Sequence, residues 1–127
     1  MSDEAYEFII MIVDDASFMR KALRKIIESA RLATKIIEAS DGIEAVMKYK
    51  EFRPNLVTMD VLMPKADGIQ ALRAIKKIDP EAKVIMVSSS GKSHIVQDAM
   101  RFGALDYVLK PFDHARMSVI LSKHGRI

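Results

Sequence analysis

Five polar residues of this chain fall at the ends of short apolar runs. Asp14 and Asp15 follow Phe8–Val13, Asp60 follows Leu56–Met59, Ser88 follows Lys83–Val87 and Lys110 follows Tyr107–Leu109. Carboxylates, a hydroxyl and an amine are the parts of a phosphoryl-transfer site: one carboxylate as nucleophile, others to hold a metal, a cation and a hydrogen-bond donor for the remaining oxygens. Three carboxylates gathered within roughly 4–6 Å repel by a few kcal/mol per pair at an effective dielectric of about 20, so the cluster takes up protons or attracts a cation. An all-oxygen ligand set selects Mg²⁺, which accepts one or two carboxylates and keeps waters that a phosphate displaces. Each residue also has an ordinary use. Asp14-Asp15 suits a helix cap, Asp60 a turn, Ser88 a cap and Lys110 a solvated loop. Recurrence at successive run ends is what favours chemistry.

Positioning these residues requires strands that end on one side. The runs at Phe8–Val13, Lys35–Glu38, Leu56–Met59, Lys83–Val87 and Tyr107–Leu109 alternate with segments of helical periodicity, so five βα units use the length. The first, third and fourth runs are continuously apolar, as in parallel strands covered on both faces. Met19, Leu23, Ile26, Ile27 and Ala30 predict the first helix, with Asp15 and Ser17 as candidate caps. Asp41-Gly42-Ile43-Glu44 has the spacing of a capping box. A third helix is expected after Asp67-Gly68 with Ile69, Leu72, Ile75 and Ile78 inward, a fourth after Gly91 carrying Ile95, Val96, Ala99 and Met100, and a short last one over about Asp113–Lys123. In an open α/β sheet the ligand crevice lies outside the carboxyl ends of the strands, so these residues, dispersed in sequence, are expected to converge.

Composition narrows the chemistry. The 127 residues are 50% apolar and 29% charged with a net charge of +3, which fits one folded domain over residues 1–127, with its core at about 8–123 and no effector domain. Without Cys there is no disulfide, thiolate zinc site or cysteine nucleophile, and the histidines are His94, His114 and His124. The longest apolar runs fall far short of the roughly 18 residues of a membrane span, and Met1-Ser2-Asp3-Glu4 is not a secretory signal, so a cytoplasmic location is expected. Dispersed Lys/Arg without aromatic interleaving argues against nucleic acid.

Asp14-Asp15, Asp60 with Met63-Pro64 and Asp67-Gly68, Ser88, and Lys110-Pro111-Phe112 resemble the receiver domain of two-component response regulators over about residues 8–123. Within that family, Asp14–Arg20, Thr58-Met59-Asp60 and the serines from Ser88 look most like the stand-alone chemotaxis regulators. The resemblance implies a flavodoxin-like (βα)5 fold, a doubly wound five-stranded parallel sheet of order 2-1-3-4-5. It implies Asp60 as phosphoryl acceptor and Mg²⁺, with Mn²⁺ as a substitute, on Asp15, Asp60 and the Leu62 backbone carbonyl, Asp14 acting through water. Lys110 and Ser88 would bind phosphoryl oxygens, Ser88 and Tyr107 would form the switch, and Met63, Pro64, Gly68 and Pro111 would shape loops, the Lys110-Pro111 bond being cis. Implied partners are a CheA-like histidine kinase as phosphodonor and a downstream target such as a flagellar or archaellar motor switch component, with no nucleic acid, no membrane and a monomeric state. The readout surface would be helix four, strand five and helix five, including Lys92, Ile95, Val96, Tyr107 and Met117.

Two departures carry expectations. Leu62 and Ser90 stand where many relatives place polar, acidic or amide side chains that orient an attacking water, which predicts slow autodephosphorylation. The last helix, ending in His124-Gly125-Arg126-Ile127, looks abbreviated. Three alternatives remain at this stage: a receiver of a larger transcription factor or methylesterase, a single-domain phosphorelay intermediate, and an Mg²⁺-dependent phosphohydrolase, for which no segment supplies a cap. With Asp14, Asp15 and Asp60 at one edge, the remaining surface is more basic than +3 suggests, a candidate for acidic partners.

Overall fold

The computed structural model describes residues 7–125, so the amino-terminal Met1–Glu4 run and the last two residues lie outside it. Five strands form one parallel sheet, β1 Ile9–Val13, β2 Lys35–Ala39, β3 Leu56–Met59, β4 Val84–Ser88 and β5 Asp106–Leu109, in the order β2-β1-β3-β4-β5. The helices are α1 Ser17–Ser29, α2 Gly42–Phe52, α3 Gly68–Ile78, α4 Ser93–Arg101 and α5 His114–His124. This is the expected α/β architecture. Ser88 closes β4 rather than following it, because its backbone still pairs with β5.

Side-chain alternation along the buried strands builds two apolar layers. One side of the sheet sends Met11, Val57 and Met86 against Tyr49 of α2, Leu72 and Ile75 of α3 and Ala99 of α4. The other sends Ile10, Ile12 and Ile85 against Leu23 and Ile27 of α1 and Met117 and Leu121 of α5. Strands β1, β3 and β4 are buried throughout, while the edges β2 and β5 are only partly covered. Full burial of such side chains stabilises by about 1.5–3 kcal/mol each, so the three central strands anchor the sheet. Among the described residues no helix is long and apolar enough to cross a membrane.

Several local expectations need correction. The N-cap of α1 is Ala16, without a side-chain cap bond; neither Asp15 nor Ser17 caps the helix, and the Ala16 N–H donates instead to Asp14 Oδ1 at 2.9 Å. Ala30 lies past the end of α1 and is exposed. The α2 capping box is displaced by one residue: Asp41 accepts from the Glu44 N–H, but Glu44 Oε1 reaches back to the Ser40 N–H at 2.7 Å. With 11 residues α5 is as long as α2 and α3, so the last helix is not short. Met117, expected on the readout surface, is fully buried against β5 and α1, because the inward stripe of α5 runs through Met117 and Leu121.

One polar bond ties α2 to the end of α3. The buried Tyr49 hydroxyl donates to Asp79 Oδ2 at 2.7 Å, and Asp79 follows the last residue of α3. That bond, with the Glu81 N–H and the nearby Arg53, holds the Asp79 carboxyl below its usual range. Tyr49→Phe is expected to lower stability by about 1 kcal/mol at pH 7, since the partly exposed acceptor discounts a charge-assisted bond. A depressed folded-state pKa stabilises above the unfolded value of about 3.9 and loses that contribution as pH falls through the folded value. Urea unfolding should therefore show the gap between wild type and Tyr49→Phe closing below about pH 4. A gap of equal size at pH 7 and pH 3 would contradict the ionic character of the bond.

Candidate functional site

The carboxyl edge of the sheet holds each site residue by its own backbone. Asp14 donates its N–H to Ala39 O at 3.1 Å, Asp60 to Val13 O at 2.9 Å and Lys110 to Ser88 O at 2.8 Å. Each is the first residue beyond its strand, and its N–H adds one more bond to the neighbouring strand. The side chains are thus placed by sheet register, which brings Asp14, Asp60 and Lys110 together, and Ser88 closes β4 at the same edge.

Ligand oxygens of Asp14, Asp15 and Asp60 all lie within 4.8 Å of one another. Asp14 and Asp60 are buried, whereas Asp15 is exposed and faces entering solutes. Lys110 Nζ sits 2.8 Å from Asp14 Oδ2 and 3.5 Å from Asp60 Oδ2. Burial pushes the Asp60 carboxyl above its usual range, with the Asp14 charge adding to the rise and Lys110 opposing it. One ammonium therefore faces three carboxylates. At about 5 Å and an effective dielectric of about 20 each carboxylate pair costs roughly 3 kcal/mol, a deficit that a hard divalent cation on oxygen ligands relieves.

Ser88 is fully buried, and its Oγ accepts the Ser90 N–H at 3.1 Å. The Ser90 carbonyl in turn accepts the Tyr107 hydroxyl at 2.5 Å. Tyr107 is half-buried against the α2–α4 layer. A chain of two hydrogen bonds thus joins the hydroxyl beside the crevice to the aromatic of β5. The Lys110-Pro111 bond is cis.

The loop after Asp60 is tightly fitted. The Gly68 N–H donates to Val61 O at 2.8 Å, and a Cβ at Gly68 would stand 1.9 Å from the Asp60 carbonyl oxygen. Gly42 at the start of α2 is just as close to the loop, with Ala66 O 2.2 Å from where its Cβ would be. Lys65 and Ala66 both have positive φ, 52° and 73°, which places backbone strain between Asp60 and α3. Met63 packs on the core and Pro64 is exposed. Leu62 is 58% exposed at the rim.

Arg20 is a site residue that sequence reasoning did not single out. Its Nη1 donates to the Asp14 carbonyl at 2.7 Å while Nε bonds Glu38 at 2.9 Å, and Glu38 also binds Arg24. The Glu38 carboxyl lies below its usual range: burial raises it, and the two guanidiniums outweigh that. The legible signal was a lone acid in β2 opposite arginines spaced i, i+4 on α1.

Comparison with known proteins agrees with this geometry. A family model described as the response regulator receiver domain matches residues 10–122. The chain is 46% identical over 114 residues to the chemotaxis protein CheY of Thermotoga maritima, covering 90% of this chain and 94% of that protein. It superimposes on a chain of the CheX–CheY–BeF3–Mg²⁺ complex from Borrelia burgdorferi with a TM-score of 0.85 at 39% identity, covering 95% and 92% of the two chains. The response regulator domain of Thermotoga maritima CheB gives 0.78 at 36% identity, covering 94% of each.

Gly68→Ala is expected to force the loop away from Asp60, since the new methyl meets backbone that cannot yield. The cost should be about 2–3 kcal/mol, the upper range for overpacking. Chemical denaturation measures it; a loss under about 0.5 kcal/mol, the level of an ordinary surface substitution, would show that the loop moves freely.

Proposed function

The chain belongs to the response regulator receiver domain family, and on that premise we propose that Asp60 is its phosphoryl acceptor, supplied by a histidine kinase. The observation that carries this assignment is the buried Asp60 carboxylate, with two further carboxylates in the same 4.8 Å cluster and the Lys110 ammonium 3.5 Å away. A carboxylate oxygen of Asp60 attacks the phosphorus of the donor's phosphohistidine, the P–N bond breaks and the imidazole leaves with its electron pair. Asp14, Asp15 and Asp60, with the Leu62 backbone carbonyl, fit Mg²⁺ as an oxygen donor set, and the ion supplies positive charge against the phosphoryl oxygens. Lys110 takes one phosphoryl oxygen, leaving the Asp14 contact to do so, and Ser88 donates to another. The chain's own catalysis is limited to this transfer and to hydrolysis, in which water attacks the phosphorus, the Asp60 O–P bond breaks and inorganic phosphate leaves.

Output follows from the hydrogen-bond chain at β4. A Ser88 hydroxyl turned toward the phosphoryl group gives up the Ser90 N–H, which loosens the segment held by Tyr107 and shifts the population between two arrangements. The readout face is α4, β5 and α5, where Lys92 is exposed and Ile95, Val96 and Tyr107 are half-buried. In place of the buried Met117, Leu109 and Val119 offer exposed apolar surface on the same elements, at 51% and 68%. The resemblance to CheY supports a stand-alone cytoplasmic chemotaxis regulator that receives its phosphoryl group from a CheA-like kinase and docks on a motor switch component. Identity of 46% to the Thermotoga maritima CheY, against 36% to the CheB response regulator domain, supports a CheY-type receiver over that of a methylesterase, the second reading that the CheB likeness favours.

Acetyl phosphate with Mg²⁺ should label the wild type with one phosphoryl group by intact mass, and Asp60→Asn should stay unlabelled. Labelling that survives the substitution would remove Asp60 from its role. Leu62 gives an attacking water no polar partner, so the phosphoryl group should be long-lived, and Leu62→Asn should speed its loss roughly tenfold, below the range of about 10²–10⁴ for general acid–base catalysis because an amide orients the water without taking its proton. An unchanged lifetime would place the control elsewhere.

A further inference from the structure

Away from the crevice, cations gather where α3 meets the end of α4. The Arg73 guanidinium lies 4.4 Å from the Phe102 ring centroid and that of Arg101 5.3 Å from the same ring, so one half-buried aromatic holds two cations. Lys76 is spent locally, donating to the Pro80 and Ala82 carbonyls at 2.8 and 3.0 Å. Stabilisation of a helix C-terminus accounts for such a lysine. It does not account for Arg73, in the middle of α3. Among the described residues, Arg73, Lys77 and Arg101 have no carboxylate within ion-pair distance, as is also true of scattered surface lysines such as Lys25; what sets Arg73 and Arg101 apart is that the Phe102 ring gathers both. Two adjoining clefts of about 240 and 350 Å³ open here and share Arg73 and Lys77.

We propose that this face docks an acidic segment of a partner protein, through carboxylates that pair with Arg73, Lys77 and Arg101. Charge complementarity commits it to an anionic partner. Guanidiniums laid on a ring are already ordered, so they lose little side-chain freedom when they form paired bonds to a carboxylate. Nucleic acid fits less well: the ring that would stack a base is already covered by arginines, and three free cations are few against the six to ten phosphate contacts of a typical binder. The face runs from the middle of α3 to the carboxyl ends of α3 and α4, whereas the crevice lies by the amino ends of these helices, so docking there does not require a phosphoryl group on Asp60.

The test titrates the ¹⁵N-labelled full chain with a 12-residue glutamate-glycine peptide and, separately, with single-stranded dT12, following amide shifts at low and moderate salt. The peptide should shift Arg73, Lys77 and Arg101–Gly103 first, both in the wild type alone and in the wild type kept phosphorylated with acetyl phosphate and Mg²⁺. Its affinity should fall at least tenfold in Arg73→Ala/Arg101→Ala and severalfold in Lys77→Ala, but less than twofold in Lys25→Ala, an exposed α1 lysine. Dispersed spectra confirm that each variant is folded. Shifts centred on another face, equal losses in the Lys25→Ala control, or tighter binding of dT12 than of the peptide would overturn the proposal.

Discussion

Three carboxylates share the carboxyl edge of this sheet with a single ammonium, and much of the local structure exists to hold that imbalance in place. Left free, Asp14, Asp15 and Asp60 would swing apart into water. They stay because the N–H groups of Asp14, Asp60 and Lys110 are bound to Ala39, Val13 and Ser88, so moving any of these residues breaks a hydrogen bond to the adjacent strand. Burial adds a second constraint, raising the free energy of the Asp60 carboxylate and making a cation or a proton the natural relief. Lys110 leans on Asp14 at 2.8 Å and stands farther from Asp60, at 3.5 Å.

The surrounding backbone is shaped to that requirement. Gly68 and Gly42 allow the loop after Asp60 to pass against two backbone segments at distances no Cβ permits, and the positive φ values at Lys65 and Ala66 lie between them. Arg20 pins the Asp14 carbonyl while spending its remaining charge on Glu38, which keeps a positive group near the crevice without neutralising it. The Ser88–Ser90–Tyr107 bonds are the complementary feature, a short polar path that one rotation of Ser88 breaks.

The sheet and the crevice were legible because apolar runs that never alternate, each closed by a polar residue, leave little freedom: the strand ends must share one edge. Asp60, Ser88 and Lys110 could be placed by that logic, and the family resemblance supplied the strand order and the cis bond at Lys110. Less legible were features fixed by packing angles. Met117 reads as equally suited to either face of an amphipathic helix, and only the seating of α5 on β5 buries it. Asp15 and Ser17 have good cap chemistry, yet Asp14 takes the amide because its side chain is held just ahead of the helix. Arg20 was legible only as part of the Asp14–Arg20 stretch and without a role, because its partners, a backbone carbonyl and a β2 acid, come together only through tertiary structure.

Binding of Mg²⁺ to the unphosphorylated chain, followed by amide shifts, tests the charge deficit most directly. Saturation at one site is expected, with the largest shifts at Asp14, Asp15, Asp60–Leu62 and Lys110, and at least tenfold weaker binding in Asp15→Asn. Shifts spread over the acidic surface without saturation, or unchanged affinity in Asp15→Asn, would contradict it.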